Sequence, residues 1–232
     1  MPVKVVHLKH IGNVTFSKNK RSKNIKISVK PDKSVLVSYP FYILTKKVVS
    51  FVQKNEDWIR RQQLKMESKK TRIKVDSELK TKLHTILFLK GTTNKIRKEG
   101  NKIQITVTDF GSDESLFFIE KNVTEVYRNE AKRLLPVRLK ALAERHGFQF
   151  NKVSIRNNRR NWGSCSSKNN ISLNLQMMKL PVELIDYIML HELVHTEIKN
   201  HSPDFWKRLN GITNNRAREL AKQVRQYSTY TL

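Results

Sequence analysis

Residues 191–206 read HELVHTEIKNHSPDFW. His191 and His195 stand four apart with Glu192 between them, and His201 follows six positions later. On a helix the first two histidines are one turn apart, so their imidazoles share a face and can grip a single ion. Glu192 lies beside that face. Its carboxylate can reach a water at the ion without becoming a ligand, which is what a general base needs. With only 7 histidines in 232 residues, an H-E-x-x-H match arises by chance at roughly the one-per-cent level. Imidazole ligands favour zinc, without excluding manganese, cobalt or iron.

A zinc ion that does chemistry takes three protein ligands and keeps a fourth position for water. His201 is one candidate for the third ligand, because it follows Asn200 where one helix should end and the next begin. Glu219, on the last helix, competes with it. Glu197 is turned to the opposite side of its helix from His195. The chemistry expected is hydrolysis of a peptide or amide bond. Glu192 would take the proton of the attacking water and hand it to the leaving amine.

A second stretch, RNNRRNWGSCSSKNNISLN at 156–174, combines arginines, a Trp-Gly pair, small hydroxyl residues and the single cysteine. Arg159 and Arg160 are candidates to steady an oxyanion or a substrate carboxylate. Cys165 reads as a buried structural thiol rather than a ligand or nucleophile. Trp162 reads as core, and Gly163 as a tight turn or a close approach of backbone.

These residues need elements to hold them. ISLNLQMM at 171–178 alternates like a half-buried strand, which lines the cleft and pairs with substrate or simply belongs to the core. A helix should open near Pro181 and run to about Lys199. Ser202-Pro203-Asp204 should cap a last helix reaching about Tyr227. Upstream, 123–146 carries a helical apolar stripe that Pro136 should kink or break. Strands are expected at 84–90 and 102–108, with turns at Gly91 and Gly100. A β-hairpin is expected over 25–38 around Pro31-Asp32, then a helix from about Thr45 to Lys65. Residues 65–80 are a charged connector, and no internal repeat is visible. The order is α+β, divided into a basic lobe at 1–80 and a catalytic core at 81–232 that together form one unit.

Composition sets the remaining bounds. One cysteine excludes an internal disulfide and suits a reducing compartment. No apolar leader or membrane-length stretch is present, so a soluble cytoplasmic protein is expected. The net charge is +26, with 20 Lys/Arg against 6 Asp/Glu in residues 1–80. Such a surface attracts nucleic acid or acidic protein segments, or is simply a solvated lysine face.

WGSCSS at 162–167, ISLN at 171–174, HELVH at 191–195 and NHSPDFW at 200–206 together resemble the YgjP-like zinc metallopeptidases. That family is related through its metal helix to the SprT-type zincin proteases. The resemblance extends upstream through Tyr39-Pro40 and FVQKNEDWI at 51–59, and so covers most of residues 14–228. It implies a zincin-like core with a metal-binding helix and antiparallel sheet, zinc as cofactor, and a protein or peptide substrate. It also implies His191, His195 and His201 as ligands, with Glu192 as the catalytic glutamate. The family usually has arginine directly before Trp-Gly-Ser-Cys, where this chain has Asn161. Two other readings compete: a SprT-like protease acting at DNA, and a nucleic-acid-binding protein with a non-catalytic metal site. The substrate-binding residues, cleavage specificity and oligomeric state are not legible in the sequence.

Overall fold

The structure is a computed structural model that describes residues 3–30, 33–68 and 73–231. The chain is α+β and forms two compact units, Met1–Lys70 and Thr71–Leu232.

In the first unit, β1 (Val3–Leu8), β2 (Gly12–Asn19), β3 (Lys26–Val29) and β4 (Val35–Pro40) form a sheet in the order β1-β2-β4-β3. The expected hairpin is the antiparallel β3–β4 pair, although its turn residues Pro31 and Asp32 lie outside the described residues. The β1–β2 pair was not expected from the sequence, and β2 runs parallel to β4. Alternation on β2 and β4 buries Val14, Phe16, Val35, Val37 and Tyr39, and the helices that follow add Val48, Val52 and Ile59. The single helix expected over 45–65 is two, α1 (Thr45–Lys54) and α2 (Glu56–Ser68). The break is at Asn55, whose side chain turns back to donate to the Phe51 carbonyl at 2.8 Å.

The second unit begins with the same topology. Strands β5 (Glu78–Lys80), β6 (Thr85–Lys90), β7 (Lys95–Glu99) and β8 (Lys102–Val107) lie in the order β5-β6-β8-β7, with β6 parallel to β8 and antiparallel neighbours outside. The sequence showed no repeat because only the pattern of pairing recurs, not the residues. The long helix α3 (Asp113–His146) opens on a Ser112 cap, whose hydroxyl accepts from the Ser115 N–H, and closes on Gly147 in the left-handed conformation.

Of the kink or break expected at Pro136, the break does not occur, since α3 runs through it. A proline removes one N–H and one helix bond. Here Ala131, Leu135, Leu139 and Ala143 continue the buried stripe through it, so packing outweighs the local loss.

A three-stranded sheet follows, from β9 (Lys152–Arg156), β10 (Gly163–Cys165) and β11 (Asn170–Asn174), in the order β10-β11-β9. The strand expected over 171–178 stops at Asn174. The Asn174 side chain accepts from the Gln176 N–H and starts a 3-10 turn over Leu175–Lys179. Helix α4 (Val182–Glu197) is then buried nearly all round, from Leu184 through Val194, as befits an element packed on α3, β10 and β11 and on the helices after it. The last helix is also two: α5 (Pro203–Ile212) and α6 (Ala217–Val224). Asn214 and Asn215, both at positive φ, turn the chain between them. No helix among the described residues is long and apolar enough to cross a membrane.

Candidate metal centre and active site

Helix α4 places His191 and His195 on one side, and the chain then folds back to bring in His201. The helix ends at Glu197 because Ile198 is extended (φ −120°, ψ 105°). That geometry turns the Ile198 carbonyl toward His195, whose Nδ1–H donates to it at 2.9 Å. The bond selects the tautomer in which His195 Nε2 is a bare lone pair. Asn200 makes the reversal, its Oδ1 accepting from the Ser202 N–H at 3.1 Å. Ser202 precedes the first turn of α5 as expected, without the side-chain cap bond.

The three Nε2 atoms converge. His201 Nε2 lies 3.1 Å from His191 Nε2 and 3.2 Å from His195 Nε2. Imidazole nitrogens each about 2.0–2.1 Å from one tetrahedral zinc would stand roughly 3.3 Å apart, so the spacing fits. Burial and the neighbouring imidazoles push His191 down to about 3, and His195 is lowered by burial first. Neutral rings are what a metal requires. His201 is exposed and leaves one side of the group open.

Glu192 has its carboxylate tucked under β10. The residue is 6% exposed, and burial pushes its carboxyl up to about 8. Gly163 makes this possible, since a Cβ there would sit 2.7 Å from Glu192 Oε1. The close backbone approach expected at Gly163 is thus to Glu192.

Several neighbours of the triad had not been singled out. Phe205 is fully buried and stacks its ring near all three imidazoles, at centroid separations of 4.9, 4.5 and 4.7 Å from His191, His195 and His201. It stands in the first turn of α5, four residues after His201. Tyr187, four residues before His191, extends the same stripe of α4, its ring 6.2 Å from that of His191. Burial raises the Tyr187 hydroxyl, and the nearby charges of Arg225 and Arg218 oppose that rise. Trp206 lies 6.2 Å from His201 and carries Arg218 on its face at 3.6 Å. Nothing in the spacing of the motif points to Arg218.

The competing residues lie elsewhere. Both Glu219 oxygens hold Arg216, at 3.0 and 2.9 Å, and Glu219 does not join the histidine group. Glu197 pairs with Arg208. Arg159 lies over the Tyr230 ring at 5.4 Å, and Arg160 is exposed. Cys165 is half-buried with its thiol raised by burial, which disfavours a thiolate. Asn161, where the family usually has arginine, donates from Nδ2 to the Gly163 carbonyl at 2.9 Å and tightens the approach to β10. Asn174 Nδ2 in turn donates to the Asn161 carbonyl at 2.8 Å.

Strand β11 has β10 on one side and β9 on the other, so neither edge is open to a substrate backbone. Among the described residues β10 is an edge strand of this sheet, and its Gly163 lies against Glu192.

The chain belongs to the YgjP-like metallopeptidase family, matching its "YgjP-like, metallopeptidase domain" over residues 23–227. It is therefore a metallopeptidase, with a metal ion as cofactor and a protein or peptide as substrate. Two solved structures match part of the chain. The metallopeptidase zymogen abylysin of Pyrococcus abyssi is 25% identical with a TM-score of 0.36, covering 39% of this chain and 91% of that one. The metallopeptidase zymogen jannalysin of Methanocaldococcus jannaschii is 23% identical with a TM-score of 0.36, covering 40% and 94%. No curated protein matches the chain.

Proposed function

We propose that the protein is a zinc-dependent peptidase in which His191, His195 and His201 hold the metal and Glu192 is the general base. The observation that carries this reading is the convergence of three imidazole nitrogens, with His191 and His195 held neutral by burial, beside the buried Glu192 carboxyl. The zinc, when bound, supplies a Lewis acid that makes water a nucleophile near neutral pH and polarises the scissile carbonyl.

The protein's own residues do the rest. The Ile198 carbonyl fixes the His195 ring, and Phe205 supports all three imidazoles from below. Glu192, shielded from bulk water by Gly163 and β10, accepts a proton from the attacking water and delivers it to the leaving nitrogen. The free edge of β10 lies where an extended substrate backbone can pair with it. Three protein ligands and an open side favour this reading over a structural zinc, which is normally closed by four. We take the core to be zincin-like on the same grounds, and the basic lobe to end at Lys70 rather than at residue 80, because β5 (Glu78–Lys80) belongs to the sheet of the second unit.

The test is metal content by mass spectrometry together with hydrolysis of a quenched peptide library. Wild type should carry about one zinc, His201→Ala should lose it, and Glu219→Ala should keep it. Glu192→Gln should keep the metal and lose hydrolysis. Loss of metal in Glu219→Ala, or full hydrolysis by Glu192→Gln, would overturn the assignment.

A further inference from the structure

We propose that Arg218 recognises a carboxylate on the substrate, so that this peptidase prefers peptides with an acidic group within about three residues of the bond to be cut. The inference rests on the peptidase reading and names its substrate class.

The geometry begins at Trp206, which follows Phe205 on α5. Its ring is 6.2 Å from that of His201 and tilted by 35°. The Arg218 guanidinium carbon lies 3.6 Å from the centroid of the same indole. The cation is therefore no further from His201 than those two separations laid end to end. Stacking on an indole fixes the plane of a guanidinium while leaving its N–H edge free to donate. A planar fork of that kind matches a carboxylate with two parallel hydrogen bonds.

Electrostatics agree. Arg138, Arg208 and Arg216 each hold an acidic side chain, whereas Arg218 forms no ion pair among the described residues. Its charge reaches the Tyr187 hydroxyl, and Tyr187 lies on the same side of α4 as His191. In a chain of net charge +26, a cation on Trp206 with no ion pair among the described residues adds to a self-repulsion that an acidic ligand would relieve. The arginines singled out in the sequence, Arg159 and Arg160, are not the ones beside the triad.

The test measures binding, so it does not require turnover. Zinc-supplied Glu192→Gln protein is titrated with fluorescent peptides that are C-terminally amidated and carry a single Glu or, in the matched series, a single Gln at each position. A third series has no Glu and a free C-terminal carboxylate. The Glu series should bind about tenfold tighter than the Gln series at one or two adjacent positions. Adding Arg218→Ala should bring that ratio to about one, and Arg218→Glu should invert it. Arg218→Lys keeps the charge without the planar fork and should retain only part of the preference. If the free-carboxylate series alone gains, the carboxylate recognised is the chain terminus. Equal binding of Glu and Gln peptides, or a ratio that survives Arg218→Ala, would overturn the proposal. So would a short single-stranded oligonucleotide that depends on Arg218 and outcompetes every acidic peptide. Failure of the wild type to cleave any peptide would count against the peptidase reading and leave these ratios standing.

Discussion

The α-carbon of Gly163 and the carboxylate of Glu192 are packed so closely that no side chain fits between them. A Cβ on Gly163 would meet Glu192 Cγ and Oε1 at 2.7 Å and Cδ at 2.9 Å. Gly163 does not occupy the left-handed region, unlike Gly147 at the end of α3. The glycine is there for space, not for its backbone freedom. Gly163→Ala must push the carboxylate aside, and misplacing a catalytic group by about an ångström costs on the order of 100-fold in rate. We expect kcat to fall by about that factor with zinc content unchanged. Stopped-flow hydrolysis beside metal analysis checks this, and an active Gly163→Ala enzyme would show that Glu192 has room to move.

Phe205 is the floor of the three-histidine group, and if that group holds the metal its removal should act on affinity and stability together. Phe205→Ala leaves a cavity beneath three imidazoles. Cavities of this kind cost about 3–5 kcal/mol, and loosened ligand support costs roughly 10- to 100-fold in metal affinity. Phe205→Leu, which keeps apolar volume, should lose much less of both. Competition with a chromophoric zinc chelator gives the affinity, and urea unfolding of the metal-free protein gives the stability. Loss of stability with unchanged affinity would mean that the histidines hold their geometry without the ring.

Helix α4 was readable because its signals are local. A 3.6-residue period, a turn-length histidine spacing and a proline before the first turn all lie within 181–195, and α4 runs from Val182 to Glu197. The convergence of His201 was readable from Asn200, a residue suited to reversing a chain. Phe205 lies within the motif, but the spacing gives it no role, because its contact with three imidazoles exists only after α5 folds back. Arg218 lay further out of reach, since a stack on Trp206 depends on the turn at Asn214 and Asn215 that divides the last helix. The edge strands β1, β5 and β7 were also illegible. β7 is exposed at every residue, so it carries no alternation to read. The shared β-sheet order of the two units is a property of pairing, which hydrophobic period does not encode.

Glu130 is a buried carboxylate that serves the fold rather than the chemistry. Its oxygens accept from the Thr81 hydroxyl, the Lys82 N–H at 3.0 Å, the Leu83 N–H at 3.1 Å and His84 Nδ1 at 2.8 Å. One side chain on α3 thereby takes four donors of the turn between β5 and β6. Glu130→Ala leaves these donors without an acceptor, and breaking a buried polar network by removing one partner costs about 3–5 kcal/mol. Glu130→Gln keeps one acceptor oxygen and should lose less. Urea unfolding of the two variants compares them directly, and equal losses would mean that shape rather than hydrogen bonding is what Glu130 provides.

Lys179 gives the protein an alkaline signature in its stability. Burial pushes its ammonium down to about 8 from an ordinary value of 10.5, even as it donates to the Tyr230 carbonyl. In the folded protein the proton leaves near pH 8, whereas the unfolded chain holds it until about 10.5. Between those values the unfolded state binds more protons, so this group makes stability rise with pH. The gain across the window is up to about 3 kcal/mol. Below pH 8 the buried charge is a constant penalty. Lys179→Met removes the penalty, so the variant's advantage over wild type should be largest at pH 7 and shrink steadily toward pH 10. Loss of the bond to Tyr230 offsets all points alike and leaves the slope intact. Urea unfolding of both proteins at pH 7, 8, 9 and 10 reads the difference, in which the other titrating groups cancel. A difference that does not change with pH would mean that Lys179 keeps its proton in the fold, and that water reaches it.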